Sequence, residues 1–134
     1  MPLVLVVEDI AFEREQLRDL LQRAGYTCAE AADGLEALDS ISAHPPDCIL
    51  TDLTMPEMDG FELLRALRED RIGIPVIVLT ADRHERTRRE CEHLGALAVL
   101  HKPWAPRLLR EIIRRALAGR TEGTGEICSR PAGE

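Results

Sequence analysis

The sequence predicts an α/β fold in which helices cover both faces of a five-stranded parallel sheet. Apolar, β-branched runs alternate five times with segments whose apolar residues recur at helical spacing, which is typical of strand–helix–strand crossovers. The first, third and fourth runs are apolar throughout, as in strands buried on both faces. For five such strands with right-handed crossovers, the common order is 2-1-3-4-5.

The predicted strands are short runs that end at charged, polar or turn residues. The second run is the weakest of the five. The runs cover residues 3–7, 27–29, 48–50, 76–79 and 97–100.

Five predicted helices connect and follow these strands. Gly25 closes the first helix as a left-handed cap, and Gly95 ends the fourth, which covers about residues 82–94. Asp33, with Glu36 three positions on, resembles a capping box at the start of the second. The residues expected on the apolar faces are Phe12, Leu17, Leu20, Leu21 and Ala24; Leu35, Leu38 and Ile41; Phe61, Leu64 and Leu67; and Leu108, Leu109, Ile112, Ile113, Ala116 and Leu117.

Composition limits the function classes. A chain of 134 residues with 45% hydrophobic and 31% charged residues forms one globular domain. The net charge of -7 opposes nonspecific binding to nucleic acid or to anionic lipid, and the 3% aromatic content disfavours a base-stacking platform. The apolar start has no basic flank and is stopped by Glu8 and Asp9, so it predicts neither a signal peptide nor a membrane span. We therefore expect a cytoplasmic protein.

The domain is expected to span residues 1–118. After Gly119 the apolar periodicity stops and the composition shifts to small and polar residues. Residues 119–134 are therefore predicted to be a flexible tail or a linker stub. We interpret the chain as a standalone regulator, with a piece of a longer regulator as the alternative.

Polar residues follow the strands at the edge where parallel sheets bind ligands. Glu8 and Asp9 follow the first strand, Asp52 follows the third, Thr80 ends the fourth and Lys102 follows the fifth. The order 2-1-3-4-5 places strands 1 and 3 side by side at the point where the strand order reverses. We therefore expect the three carboxylates to share one crevice with the hydroxyl and the ammonium.

This set of residues predicts phosphoryl chemistry. Three adjacent carboxylates repel one another unless a cation compensates, and Mg²⁺ is held by carboxylates together with water and phosphate oxygens. Lys102 is the only lysine of the chain and offers a mobile point charge to a phosphate oxygen. Asp52 is the candidate nucleophile, and Thr80 is placed to hydrogen-bond the product.

Each residue also has a simpler interpretation. Glu8 and Asp9 open a helix and would favour its N-terminus as capping acids. Asp52 alone would be one more loop acid. The joint placement at one predicted sheet edge is what favours a site.

These motifs together resemble the receiver domain of two-component response regulators, over about residues 3–118. The fold that the resemblance implies is the flavodoxin-like, doubly wound sheet. The motifs occur in the expected order and comprise Glu8-Asp9, Asp52 with the following Leu53-Thr54-Met55-Pro56, Asp59-Gly60, Thr80-Ala81 and Lys102-Pro103.

The resemblance implies that Asp52 accepts a phosphoryl group from a sensor histidine kinase or a histidine phosphotransfer protein. Mg²⁺ would be held by Asp9, Asp52 and the Thr54 main-chain carbonyl, and by Glu8 through water. The chain would not be an enzyme in the usual sense, because its chemistry is limited to self-catalysed transfer onto Asp52 and slow self-dephosphorylation.

The resemblance also implies a switch. Lys102 would contact the phosphoryl oxygens, and Thr80 would turn toward them and shift the surface of helix 4, strand 5 and helix 5. The Lys102-Pro103 bond is expected to be cis, as in similar domains. A downstream protein would read the changed surface, and a phosphorylation-dependent homodimer is left open.

One position departs from the pattern. Many receivers carry Tyr or Phe three residues before the lysine, whereas this chain has Val99. We therefore expect the output to depend on displacement of the fourth helix. That helix region carries Arg83, Arg86, Arg88 and Arg89, which form either a docking surface or a solvated, salt-bridged face.

Three other functions fit parts of the pattern. An aspartate-nucleophile phosphatase would need a second acid two positions beyond Asp52, where Thr54 stands. A flavin or nucleotide module would need a phosphate cradle after the first strand, where Glu8 and Asp9 repel phosphate instead. A scaffold whose acidic pocket is unused remains the third alternative.

Overall fold

The structure, a computed structural model, describes residues 1–123. Strands and helices alternate along the chain as predicted, and each helix follows the strand of the same number. The elements are β1 Leu3–Val7, α1 Ala11–Arg23, β2 Thr27–Ala31, α2 Gly34–Ala43, β3 Cys48–Thr51, α3 Gly60–Glu69, β4 Val76–Thr80, α4 Glu85–His93, β5 Ala98–His101 and α5 Pro106–Gly123.

The sheet has the predicted order, β2-β1-β3-β4-β5, with every neighbouring pair parallel. This confirms the flavodoxin-like, doubly wound fold. In the register of β1 and β3, Val7 is paired with Thr51. Both strands end at that pair, so the residues that follow them, Glu8 and Asp52, leave the sheet side by side.

Two apolar cores flank the sheet because alternate strand residues point to opposite faces. Leu5, Val7 and Ile49 pack on one face, in the core with buried residues of α2, α3 and α4. Val6 and Leu50 pack on the other, in the core with buried residues of α1 and α5. The central strands are therefore buried on both sides, as their apolar sequences predict.

The helix ends follow the predicted signals, with one refinement. Gly25 and Gly95 have φ of 93° and 106°, a conformation that favours glycine after a helix. The Asp33 carboxylate caps α2 by accepting the Glu36 N–H at 2.9 Å, but the Glu36 carboxylate accepts the N–H of Ala32 rather than that of Asp33. The reciprocal capping box occurs on α3 instead, between Asp59 and Glu62.

Four residues expected on buried faces are exposed, one of them Ala24 at the C-cap of α1. Phe12 is 68% exposed, Leu35 48% and Leu108 49%. The reason is helical geometry, since each residue advances about 100° around the axis. Phe12 precedes the buried Leu21 by nine positions and so lies about half a turn away from it, and Leu35 and Leu108 are rotated by about 100–120° from buried neighbours on their helices.

Element boundaries differ from the prediction at two helices. Helix α4 begins at Glu85 rather than near residue 82, because the Asp82 carboxylate accepts the His84 N–H at 2.9 Å and holds a turn before the helix. Helix α5 continues to Gly123, past the boundary predicted after residue 118, and residues 124–134 of the predicted tail lie outside the described residues. No helix within residues 1–123 combines the length and apolar character that crossing a bilayer requires.

Gly60 is predicted to be essential for packing α3 against the end of β3. A Cβ there would lie 2.8 Å from Leu53 Cα and closer still to the Asp52 carbonyl oxygen. We expect Gly60→Ala to lower the free energy of unfolding in urea by about 1–3 kcal/mol, as overpacked sites do. Gly119→Ala is the control, because a Cβ meets nothing within 4 Å there and the higher helix propensity of alanine should add up to about 1 kcal/mol. Equal effects of the two substitutions would contradict this account.

Candidate functional site

The structure brings three of the predicted site residues together at the carboxyl edge of the sheet. The Lys102 ammonium donates to Glu8 Oε1 at 3.0 Å and to Asp52 Oδ2 at 2.9 Å. The three residues come from the ends of β1, β3 and β5, so sheet topology alone assembles them.

Backbone hydrogen bonds fix the main chain of the residues that carry these side chains. The Asp52 N–H donates to the Val7 carbonyl at 3.1 Å, and the Lys102 N–H donates to the Thr80 carbonyl at 2.8 Å. The ladder therefore continues one residue beyond the regular strands. The second oxygens of the carboxylates are also held: Glu8 Oε2 accepts the Ile10 N–H, and Asp52 Oδ1 accepts the Leu53 N–H at 2.6 Å.

Glu13 belongs to the same cluster, and the sequence reasoning missed it. Its Oε1 lies 2.5 Å from Lys102 Nζ, and the carboxylates of Glu8, Glu13 and Asp52 offer oxygens within 4.8 Å of one another. Glu13 lies in the first turn of α1 rather than at a strand end. The sequence did offer one signal for Glu13. It stands four residues after Asp9, in the first turn of the helix that begins at the carboxyl edge of the sheet.

Asp9 is not one of the three tightly grouped carboxylates, although it follows the same strand as Glu8. Among residues 1–123, the group of close carboxylates contains Glu13 in its place. Glu8 is 2% exposed, whereas Asp9 is exposed. Successive residues leaving a strand point in opposite directions, so Glu8 turns into the edge of the sheet and Asp9 turns to solvent.

Thr54 and Thr80 lie on the neighbouring side of the edge. Thr54 is exposed in the loop after β3, and Thr80 is buried with its hydroxyl accepting the Asp82 N–H at 3.1 Å. An open groove of about 170 Å³ lies between these loops, so there is room for a ligand next to Leu53 and Thr54, the residues that follow Asp52. The groove is lined by Leu53, Thr54, Met55, Asp59, Phe61, Thr80 and Asp82.

Burial and charge shift the protonation equilibria of the site. The pKa of Glu8 is raised to about 7, chiefly by burial and to a smaller extent by the Asp52 charge, while the Ile10 N–H and the Lys102 ammonium act in the opposite direction. Burial alone would lower the pKa of Lys102, but its hydrogen bonds to Glu13, Asp52 and Glu8 outweigh that effect and raise it. Lys102 is therefore fully charged at neutral pH.

The donor set fits a hard divalent cation. Three carboxylates face one ammonium, so the cluster retains negative charge when all of them are ionised. All three metal-capable residues offer oxygen, the donor atom that Mg²⁺ prefers in proteins. The edge can thus bind a cation and, with Lys102, a group that carries negatively charged oxygens.

Known proteins are similar to this chain in sequence and in fold. The family model for the response regulator receiver domain matches residues 4–114. Response regulator MprA of Mycolicibacterium vanbaalenii is 41% identical over 128 residues, which cover 92% of this chain and 54% of MprA. Sensor histidine kinase RcsC of Salmonella typhimurium is 33% identical over 111 residues, which cover 83% of this chain and 12% of RcsC. The chain thus spans about half the length of MprA and about one eighth of the length of RcsC.

A solved structure shows the same architecture. The receiver domain of the Francisella response regulator 1452 superposes with a TM-score of 0.86 at 31% identity, over 90% of this chain and 99% of that domain. With Glu8, Asp52 and Lys102 brought together where the topology predicts, the chain belongs to the response regulator receiver domain family.

Proposed function

We propose that the chain is a phosphoacceptor switch of a two-component phosphorelay, in which Asp52 receives a phosphoryl group. The observation that carries this proposal is the position of Asp52. Its side chain is 12% exposed, the Lys102 ammonium lies 2.9 Å from Oδ2, and the next two residues, Leu53 and Thr54, line the groove. A partly exposed carboxylate next to a fixed positive charge is suited to transfer onto its oxygen.

The transfer is a displacement at phosphorus. A carboxylate oxygen of Asp52 forms a bond to the phosphorus of a phosphohistidine, and the phosphorus–nitrogen bond breaks with its electron pair left on the imidazole. Lys102 donates to an oxygen of the transferring group and offsets its charge. The Leu53 N–H, 2.6 Å from Asp52 Oδ1, holds the carboxylate in one orientation while it reacts.

The residues at the edge support a role for Mg²⁺ as the cofactor. Asp9, Asp52 and the Thr54 main-chain carbonyl would hold the ion, and Glu8 would contribute through water. When bound, Mg²⁺ supplies positive charge to the phosphoryl oxygens. Because the pKa of Glu8 is raised to about 7, this carboxyl group is partly protonated at neutral pH and must ionise to contribute fully to cation binding.

The partners follow from the chemistry of Asp52. The donor would be a sensor histidine kinase or a histidine phosphotransfer protein, and we propose the cytoplasm as the compartment where they meet. The chain would act as the phosphorylated protein itself rather than as an enzyme with multiple turnover. Thr54 supports this, since it stands where an aspartate-nucleophile phosphatase carries its general acid.

The output would pass from Thr80 to α4. The Thr80 hydroxyl accepts the Asp82 N–H, and the Asp82 carboxylate accepts the Thr87 hydroxyl at 2.7 Å and the His84 N–H. If the Thr80 hydroxyl turns to the phosphoryl group, the hydrogen bond from the Asp82 N–H to Thr80 breaks. Val99 packs in the core instead of presenting an aromatic ring, so the loop before α4 is the available route.

The arginines near α4 are only partly available to a partner. Arg88 is paired with Glu85 and Glu92, and Arg89 with Glu85, within the helix. Arg83 and Arg86 are exposed on the same segment. A downstream protein that binds this surface would therefore meet a mixed salt-bridged face rather than four free cations.

Phosphorylation of Asp52 is expected on incubation with acetyl phosphate. Intact-mass measurement should show a gain of one phosphoryl group that requires Mg²⁺, since the acidic edge repels the donor without a cation. Asp52→Asn removes the nucleophile with little change in shape and serves as the control. A gain of equal size in the variant, or no gain in the natural sequence with Mg²⁺ and its kinase, would contradict the proposal.

Hydrogen exchange is expected to show the response of α4. On phosphorylation, amides in residues 82–104 should exchange several-fold faster or slower, because the Thr80–Asp82–Thr87 chain rearranges. Thr80→Val keeps the buried shape but cannot bond the phosphoryl group, so it should be phosphorylated without this change. Exchange maps of the natural sequence that stay the same across residues 82–104 would contradict the route through α4.

A further inference from the structure

Every proton donor of the Lys102 ammonium is already in use. A lysine ammonium has three N–H bonds. They point to Glu8 at 3.0 Å, to Asp52 at 2.9 Å and to Glu13 at 2.5 Å. Lys102 can donate to an incoming phosphoryl oxygen only if one of these three contacts is released.

The three contacts differ in what their release would cost. Glu8 is 2% exposed, and its other oxygen already accepts the Ile10 N–H, so losing Lys102 would leave a buried charge without its cation. Asp52 is 12% exposed and is the residue to be phosphorylated. The Glu13 side chain is 35% exposed, so water can replace Lys102 as its partner. Glu13 is therefore the contact that yields most easily.

We propose that Glu13 is a positioning residue that holds the third N–H of Lys102 in the unphosphorylated protein and yields it to the phosphoryl group. This inference rests on the proposed phosphorylation of Asp52. It joins α1 to the turn after β5 by a contact between residues 89 positions apart. Because Glu13 also adds negative charge at the mouth of the site, it should slow phosphorylation by small anionic donors.

The first test measures the state of Lys102 before any phosphorylation. Lys102 is the only lysine of the chain, so an acetylating N-hydroxysuccinimide ester reports on one ε-amine, and peptide mapping separates it from the amino terminus. In EDTA at a fixed pH, Glu13→Gln should react about two- to fivefold faster, the range for loss of a part-exposed ion pair. Glu15→Gln is the matched control, since it removes the same charge from an exposed position on the same helix and should leave the rate unchanged.

The second test measures phosphorylation. With acetyl phosphate and saturating Mg²⁺, Glu13→Gln should be phosphorylated about two- to fivefold faster than Glu15→Gln, because only Glu13 competes for Lys102. A purely structural role would predict the opposite, since a disturbed site reacts more slowly. Affinity for Mg²⁺, followed by the fluorescence of Trp104, should fall more in Glu8→Gln than in Glu13→Gln, because Glu13 contributes only its charge at the mouth of the site.

The outcomes distinguish failure of the proposed role of Glu13 from failure of the proposed phosphorylation of Asp52. If the natural sequence is never phosphorylated, the proposed function fails and the release step fails with it, while faster acetylation of Glu13→Gln would still establish the resting contact. If the natural sequence is phosphorylated but Glu13→Gln is no faster than Glu15→Gln, the role of Glu13 is overturned and the proposed function stands. A loss of Mg²⁺ affinity in Glu13→Gln as large as that in Glu8→Gln would make Glu13 a metal ligand and also overturn the role proposed here.

Discussion

The ammonium of Lys102 is the interaction on which the site depends. It contacts three carboxylates, from Glu8, Glu13 and Asp52, that lie within 4.8 Å of one another. Carboxylates this close repel one another when ionised, and Glu8 is almost completely buried. Without a cation between them, the groups would have to bind protons or move apart. The Lys102 ammonium, which reaches this edge from the end of β5, therefore lets the fold hold the three carboxylates close together.

Sheet topology determines which residues meet Lys102. Strands β1 and β3 are neighbours and end in register at Val7 and Thr51, so Glu8 and Asp52 leave the sheet together. The core on each face holds these strands in place, and Gly60 lets α3 approach the end of β3 closely. The arrangement of charges at the edge thus follows from apolar packing elsewhere in the domain.

The sequence predicted the sheet, its order and the residues at the strand ends because periodicity and strand order are read directly from apolar patterns. Glu8, Asp52 and Lys102 were found by that logic. Glu13 was missed because it lies within a helix, where strand-end reasoning does not look. Strand-end spacing also could not show that Asp9 is exposed while Glu8 is buried. Phe12 was assigned to the buried face of α1 although its angular position lies about half a turn from Leu21. Spacing alone also could not show that Asp82 forms a turn before α4.

Lys102 acts as the counterion of the acidic edge, and the free energy of unfolding of Lys102→Met in EDTA tests this role most directly. At pH 8, where Glu8 is mostly ionised given its pKa of about 7, the substitution should cost about 3 kcal/mol, as the loss of one partner of a buried pair does. At pH 5 the cost should be clearly smaller, because protonated Glu8 no longer needs a counterion. An equal cost at both pH values, or no cost at pH 8, would contradict the account.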